Sequence, residues 1–254
     1  MEIPGVSSAT SATEAAFAPI VFHWYEAEVA AIAPVTPTVK SVRLRCAIAD
    51  RQRAGQHVDV RLTAEDGYRA SRSYSVASPP DGSGTLELLV EGLPDGEVSG
   101  WFFDTAEVGD RLEMRGPIGG SFSWDGPDGG PLLLAGGGSG VVPLLAMLRR
   151  RAEVAPEIPA ALIFSVRSRA EAIALDELEA RHRDEPHFSL FLRTTREGDG
   201  RRVDDALVAA ALDWTGAPGK VFLCGSNRFV SPTADLIVAA GVPAGIIRTE
   251  RFGA

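Results

Sequence analysis

Apolar and polar positions alternate with a period of two through the first half of this chain. In Val39–Cys46 the set Lys40, Val42, Leu44 and Cys46 is mostly apolar, against Val39, Ser41, Arg43 and Arg45. His57–Leu62 repeats the pattern, with Val58, Val60 and Leu62 on one face, and Thr85–Val90 and Arg111–Arg115 are further short runs. Asp66-Gly67, Pro79-Pro80-Asp81-Gly82, Pro94-Asp95-Gly96 and Gly109-Asp110 punctuate them. Short alternating runs separated by such turns predict an antiparallel barrel or sandwich. One helix is expected to interrupt it over Ser99–Ala106.

The second half changes period. Buried-strand runs at Leu132–Ala135, Ala161–Val166, Phe188–Leu192 and Lys220–Cys224 alternate with helical patterns at Val142–Arg151, Ala172–Arg183, Asp204–Leu212 and Phe229–Ala240. The order βαβαβαβα predicts a parallel sheet covered on both faces. Between the halves stands Asp125–Pro131, D-G-P-D-G-G-P, a linker composition. It divides the chain into expected domains at 20–126 and 127–254. Residues 1–19 are rich in Ala, Ser and Thr and are expected to form a disordered leader.

Composition excludes several partners. The chain has 254 residues, 45% of them hydrophobic, with a net charge of −9. An acidic surface repels nucleic-acid phosphates and anionic membranes. The longest apolar candidate, Val230–Val242, is broken by Pro232, Asp235 and Gly241, so no membrane span is expected. Two cysteines cannot ligate an iron–sulfur cluster, which takes about four. Two well-separated cysteines and no basic signal segment predict reduced thiols and a cytoplasmic protein. His23, His57, His182 and His187 show no metal-ligand spacing and read as structural or solvated, so no metal is expected.

The strongest local signal is the run from Leu132 to Pro143, L-L-L-A-G-G-G-S-G-V-V-P. A buried strand enters Gly136, Gly137, Gly138, Ser139 and Gly140 and leaves as a helix. Glycines permit close backbone approach, and the helix start offers unpaired N–H groups to a pyrophosphate. Pro143 suits the first turn of that helix. The spacing is not G-x-G-x-x-G, which points away from a generic Rossmann dehydrogenase.

Five ordered segments resemble the ferredoxin–NADP reductase superfamily. Arg72-Ser-Tyr-Ser75 is similar to its R-x-Y-S motif, and Gly116-Pro-Ile-Gly-Gly-Ser-Phe122 to its G-P-x-G-x-F signature. The glycine loop is similar to G-G-G-x-G-x-x-P, Val221–Ser226 to V-x-x-C-G-P with Ser226 for Pro, and Thr249-Glu-Arg-Phe252 to a C-terminal E-x-F. The resemblance implies a two-domain fold: an antiparallel six-stranded β-barrel that binds FAD, followed by an α/β Rossmann-like parallel-sheet domain that binds NADP. It implies that Tyr74 stacks on the isoalloxazine, that Ser75 hydrogen-bonds near flavin N5, and that Arg72 holds the FAD pyrophosphate with help from Val98 and Ser99. Gly116 and Gly119 would carry backbone past the cofactor. Ser75, Cys224 and Glu250 match the positions that flank the nicotinamide. Gly225 adjoins it, and Phe252 matches an aromatic that covers the flavin.

An NAD site usually carries an Asp or Glu after the second strand, and an NADP site an Arg. Here that strand ends Ser165-Val-Arg167-Ser-Arg169, with no acidic residue at the turn. Arg167, Arg196 and Arg202 form the expected cage for a 2′-phosphate, which favours NADPH over NADH. The cysteine pattern of a fused 2Fe–2S domain is absent, so the expected acceptor is a separate redox protein such as a ferredoxin or an oxygenase partner. The locally basic segment Lys40–Arg72 offers a steering surface for it. Two other functions fit the same motifs: a flavin or ferric reductase serving small molecules, and a non-catalytic electron-transfer or redox-sensing subunit.

Overall fold

The computed structural model describes residues 23–252. The leader expected over 1–19 lies outside the described residues. Six strands follow from the alternating half: β1 (Tyr25–Thr36), β2 (Val39–Cys46), β3 (His57–Thr63), β4 (Arg69–Ser75), β5 (Thr85–Glu91) and β6 (Arg111–Ile118). They form one antiparallel sheet in the order β4-β3-β6-β1-β2-β5. An isolated bridge between Val76 and Leu88 brings the chain just past β4 against β5 and closes the sheet. Inward positions Val42, Leu44, Val58, Val60, Leu86, Leu88 and Met114 fill its core.

Helix α1 (Glu97–Asp104) begins two residues before the expected start. It plugs the barrel with Val98 and Phe102, and the ring of Phe102 meets Tyr74 edge-on at 6.1 Å. Strand β1 was not among the expected runs. Its Ala- and Glu-rich sequence and Pro34 have weak strand preference, and its extended form comes from pairing with β2 and with β6.

The second half is a five-stranded parallel sheet. Its strands are β7 (Leu132–Gly137), β8 (Ala160–Val166), β9 (Phe188–Thr194), β10 (Lys220–Gly225) and β11 (Ile247–Arg251), in the order β11-β10-β7-β8-β9. Alternate residues of each strand serve opposite faces. Leu132 and Leu134 pack beneath α2 (Val141–Val154) and α3 (Leu175–Asp184). Leu133 and Ala135 pack beneath α4 (Asp205–Thr215) and α5 (Asn227–Ala239). Helix α3 starts three residues later than its Ala-rich pattern predicts. Ala172 and Ile173 are buried in the core, and Ala174 takes φ 54°, a left-handed turn that re-aims the chain into the helix.

One of the hydrophobic clusters is shared by the two halves. Ala54, Ala77, Phe122 and Trp124 from the barrel side join the cluster beneath α2, with Phe122 edge-on to Phe222 at 5.3 Å. Arg149 of α2 spans the junction: its guanidinium donates to the Ala77 carbonyl at 3.1 Å and pairs with Glu87 of β5 and Glu177 of α3, each at 2.6 Å.

Candidate active site

A cleft of about 1100 Å³ opens where the end of β4 faces the glycine loop after β7. The barrel contributes Arg72, Tyr74, Ser75, Val98 and Ser99 to its wall, and the α/β half contributes Gly137, Gly138, Ser139, Glu250 and Phe252. Motifs more than 60 residues apart in sequence therefore converge on one space. Strand pairing does the positioning: the β3–β4 register sets Ser75 opposite His57 and Arg72 opposite Val60.

At the barrel end, the exposed Arg72 guanidinium lies 3.7 Å from the Glu97 carboxylate, which also accepts from the Tyr68 hydroxyl at 2.7 Å. Glu97 is the first residue of α1, where the unpaired N–H groups of the first turn favour an anion. Val98 and Ser99 are buried behind it. The Ser99 hydroxyl donates to Gly96 O at 3.4 Å and accepts from Leu93 N–H at 3.3 Å, so it braces the loop that shapes this corner. Tyr74 is half-buried. Burial pushes its phenol up to about 12, so it stays neutral and can donate.

At the other end, β10 pairs with both β7 and β11, and this register places Cys224 between Gly136 and Glu250. Cys224 is fully buried behind the cleft wall. Burial, and after it the Glu250 charge, hold its thiol well above the usual range, so it is a neutral packing group at neutral pH. Burial also raises the Glu250 carboxyl to about 7. A side chain on Gly119 (φ 106°) would start 3.7 Å from a Glu250 carboxylate oxygen and 3.8 Å from His57 Nδ1. A side chain there would have room, so what Gly119 supplies is its positive φ, and Gly116 (φ 147°) likewise turns the chain within β6. Phe252 is 39% exposed at the mouth, and its N–H donates to Gly225 O at 3.2 Å.

The glycine loop is shaped by contact. A Cβ at Gly140 would lie 2.1 Å from the Cys224 carbonyl oxygen, so only glycine lets the loop sit on the end of β10. The Phe229 ring occupies the space that side chains at Gly137 and Gly225 would need. Gly136 and Gly140 lie under the loop, whereas Gly137, Gly138 and Ser139 face the cleft.

The expected arginine cage is only partly assembled. Arg167 and Arg202 line the cleft, but Arg196 does not; its backbone N–H donates to Arg167 O at 2.8 Å. Glu97, Glu171, Arg228 and Phe229 line it too, and none was singled out from the sequence; His57, expected to be structural or solvated, also lines it. Arg228 and Phe229 stand two and three residues after the C-G-S segment, a position that could have flagged them. Glu171 and Glu97 carried no local signal.

The sequence profile of the Oxidoreductase FAD-binding domain matches residues 26–124, and that of the Oxidoreductase NAD-binding domain matches 134–235. Ferredoxin–NADP reductase B of Sorangium cellulosum is 31% identical over 240 residues, 90% of this chain and 97% of that protein. Methane monooxygenase component C of Methylosinus trichosporium is 34% identical over 158 residues, 62% of this chain and 45% of that protein. The reductase component of propane 2-monooxygenase from Mycolicibacterium goodii is 27% identical over 226 residues, 85% of this chain and 64% of that protein. The chain thus spans about half to two thirds of these two oxygenase-system relatives. Among solved structures, the ferredoxin reductase in carbazole 1,9a-dioxygenase superposes with a TM-score of 0.75 at 27% identity, covering 92% of this chain and 71% of that one. By its two domains in this order and its full-length likeness to a ferredoxin–NADP reductase, the chain belongs to the ferredoxin–NADP reductase superfamily.

Proposed function

We propose that this protein is an NAD(P)H-dependent flavoprotein reductase that passes electrons to a separate acceptor, a ferredoxin or an oxygenase component, in the cytoplasm. In this reading 20–126 is the FAD domain and 127–254 the nucleotide domain. The carrying observation is the single cleft that the Arg72–Ser75 strand end and the Gly137–Ser139 loop share. Its residues fit an FAD. An exposed guanidinium and a helix start stand together for a pyrophosphate, and a half-buried tyrosine and a mostly apolar wall suit a flat ring. The absence of a membrane-length apolar helix among the described residues and the free thiols Cys46 and Cys224 accord with the location.

Bound FAD would supply the chemistry that links a two-electron donor to a one-electron acceptor. The protein's own share is placement. Arg72 and the α1 start hold the pyrophosphate, Tyr74 supports the ring, and Ser75 offers its hydroxyl at the reacting edge. Gly137, Gly138 and Ser139 let a second pyrophosphate approach the α2 start, and Cys224 shapes the floor beneath the nicotinamide. Glu250, near half-protonation at neutral pH, can hold or release a proton at the cleft wall. Phe252 covers the mouth until the nicotinamide enters. The donor is NADPH in this reading, drawn by the exposed guanidiniums of Arg167, Arg202 and Arg228.

Anaerobic mixing with NADPH tests the proposal. The protein should carry FAD, its 450-nm band should bleach, and Ser75→Ala should slow the bleaching about tenfold or more while FAD is retained. A protein that binds no flavin, or one whose flavin stays oxidised with both nucleotides, would end this reading. Reoxidation faster with free flavin than with any ferredoxin would move the acceptor to small molecules.

A further inference from the structure

The nucleotide end of the cleft contains a carboxylate where a cage of arginines was expected. Glu171 closes the short turn Arg169–Glu171 after β8 and lines the cleft with Arg167 and Arg202. Its carboxylate is held in place. The Ser168 hydroxyl donates to one oxygen at 3.1 Å, and Arg167 Nη1 stands 3.6 Å from the other. The side chain remains 38% exposed, so it faces the cleft rather than the core.

Strand order says which part of a nucleotide meets it. A pyrophosphate on the loop after β7 sits at the centre of the sheet, with β10 and β11 on one side and β8 and β9 on the other. Glu250 and Cys224 mark the first side as the nicotinamide side. The adenosine then falls across the ends of β8 and β9, beside Arg167, Glu171 and Arg202. A carboxylate there accepts a hydrogen bond from a free ribose 2′-hydroxyl, repels a 2′-phosphate, and draws off part of the Arg167 charge that would hold one.

We infer that Glu171 sets the choice between NADH and NADPH, opposing the neighbouring arginines so that the preference for NADPH is narrowed and NADH is also used. This rests on the reading of the cleft as a nicotinamide-nucleotide site. Arg202 attracts the 2′-phosphate, Glu171 penalises it, and the specificity is their difference.

The test compares wild type and Glu171→Gln, both loaded with FAD, by calorimetric titration with 2′,5′-ADP and with 5′-AMP, which differ only in the 2′-phosphate. The substitution should raise the affinity for 2′,5′-ADP relative to 5′-AMP by about tenfold, and the ratio of kcat/KM for NADPH over NADH by a similar factor. Glu171→Asp keeps the charge and withdraws it by one methylene, so it should shift the ratio less. A binding ratio within twofold of wild type for Gln, or an equal shift for Asp and Gln, would overturn the inference and leave the proposed function standing. If neither ligand binds the wild-type protein, the nucleotide cleft is misassigned and both readings fall.

Discussion

Glu250 shows how a single residue can be legible in type but not in state. Its place in T-E-R-F marks it as a candidate beside the nicotinamide, yet only the folded chain buries it against Gly119 and next to Cys224. Burial raises its carboxyl from 4.5 to about 7. An acid whose pKa is higher folded than unfolded binds an extra proton in the native state. Its stabilising contribution is full below about 4.5 and is lost as pH climbs through 7. Thermal unfolding at pH 5 and pH 8 should therefore show Glu250→Gln gaining in Tm relative to wild type at the higher pH. A difference independent of pH would mean that the carboxyl is not buried as described. Arg72 makes the complementary case. Its type and motif were plain in the sequence, but its pairing with Glu97, 25 residues away, was not.

At the scale of elements, strands and helices with strong periodicity were readable and their edges were not. Val39–Cys46 runs over the expected residues, because alternation and β-branched residues agree with the barrel. Helix α3 does not, because burial of Ala172 and Ile173 overrides the helical preference of an Ala-rich stretch. The glycine loop was recognised by composition, but the demands on its glycines differ. Gly140 has ordinary backbone angles and no room, whereas Gly138 has φ 57° and open space. Gly140→Ala should therefore cost about 3 kcal/mol by forcing the loop off β10. Gly138→Ala should cost about 1 kcal/mol of backbone strain. Urea unfolding of the two variants measures both, and equal losses would contradict the contact at Cys224.

At the scale of the molecule, the cleft exists only while the halves keep their mutual placement. The shared core beneath α2 and the Arg149 bridge hold that placement. Removing Arg149 leaves Glu87, whose side chain is 12% exposed, without its cation. Breaking such a pair from one side costs about 3 kcal/mol or more. Arg149→Ala should lower Tm, and it should weaken FAD and nucleotide binding together, since both depend on the junction. Retention of full stability in differential scanning calorimetry would remove Arg149 from that role.

By itself the sequence determined that an alternating half precedes a βα half, and it named the segments expected to carry the chemistry and the linker expected to part the halves. These are local properties, set by periodicity, turn residues and motif composition. The tertiary structure alone decided which side chains share the cleft. It brought Arg167, Arg202 and Arg228 to the wall, left Arg196 outside, and set Glu171 among them. Arg167, Arg196, Glu171 and Arg202 sit on loops or turns between strand and helix, and Arg228 in the first turn of α5. The direction of such a side chain follows from strand register and from the packing of helices on the sheet, and neither is encoded within a few residues of the position itself.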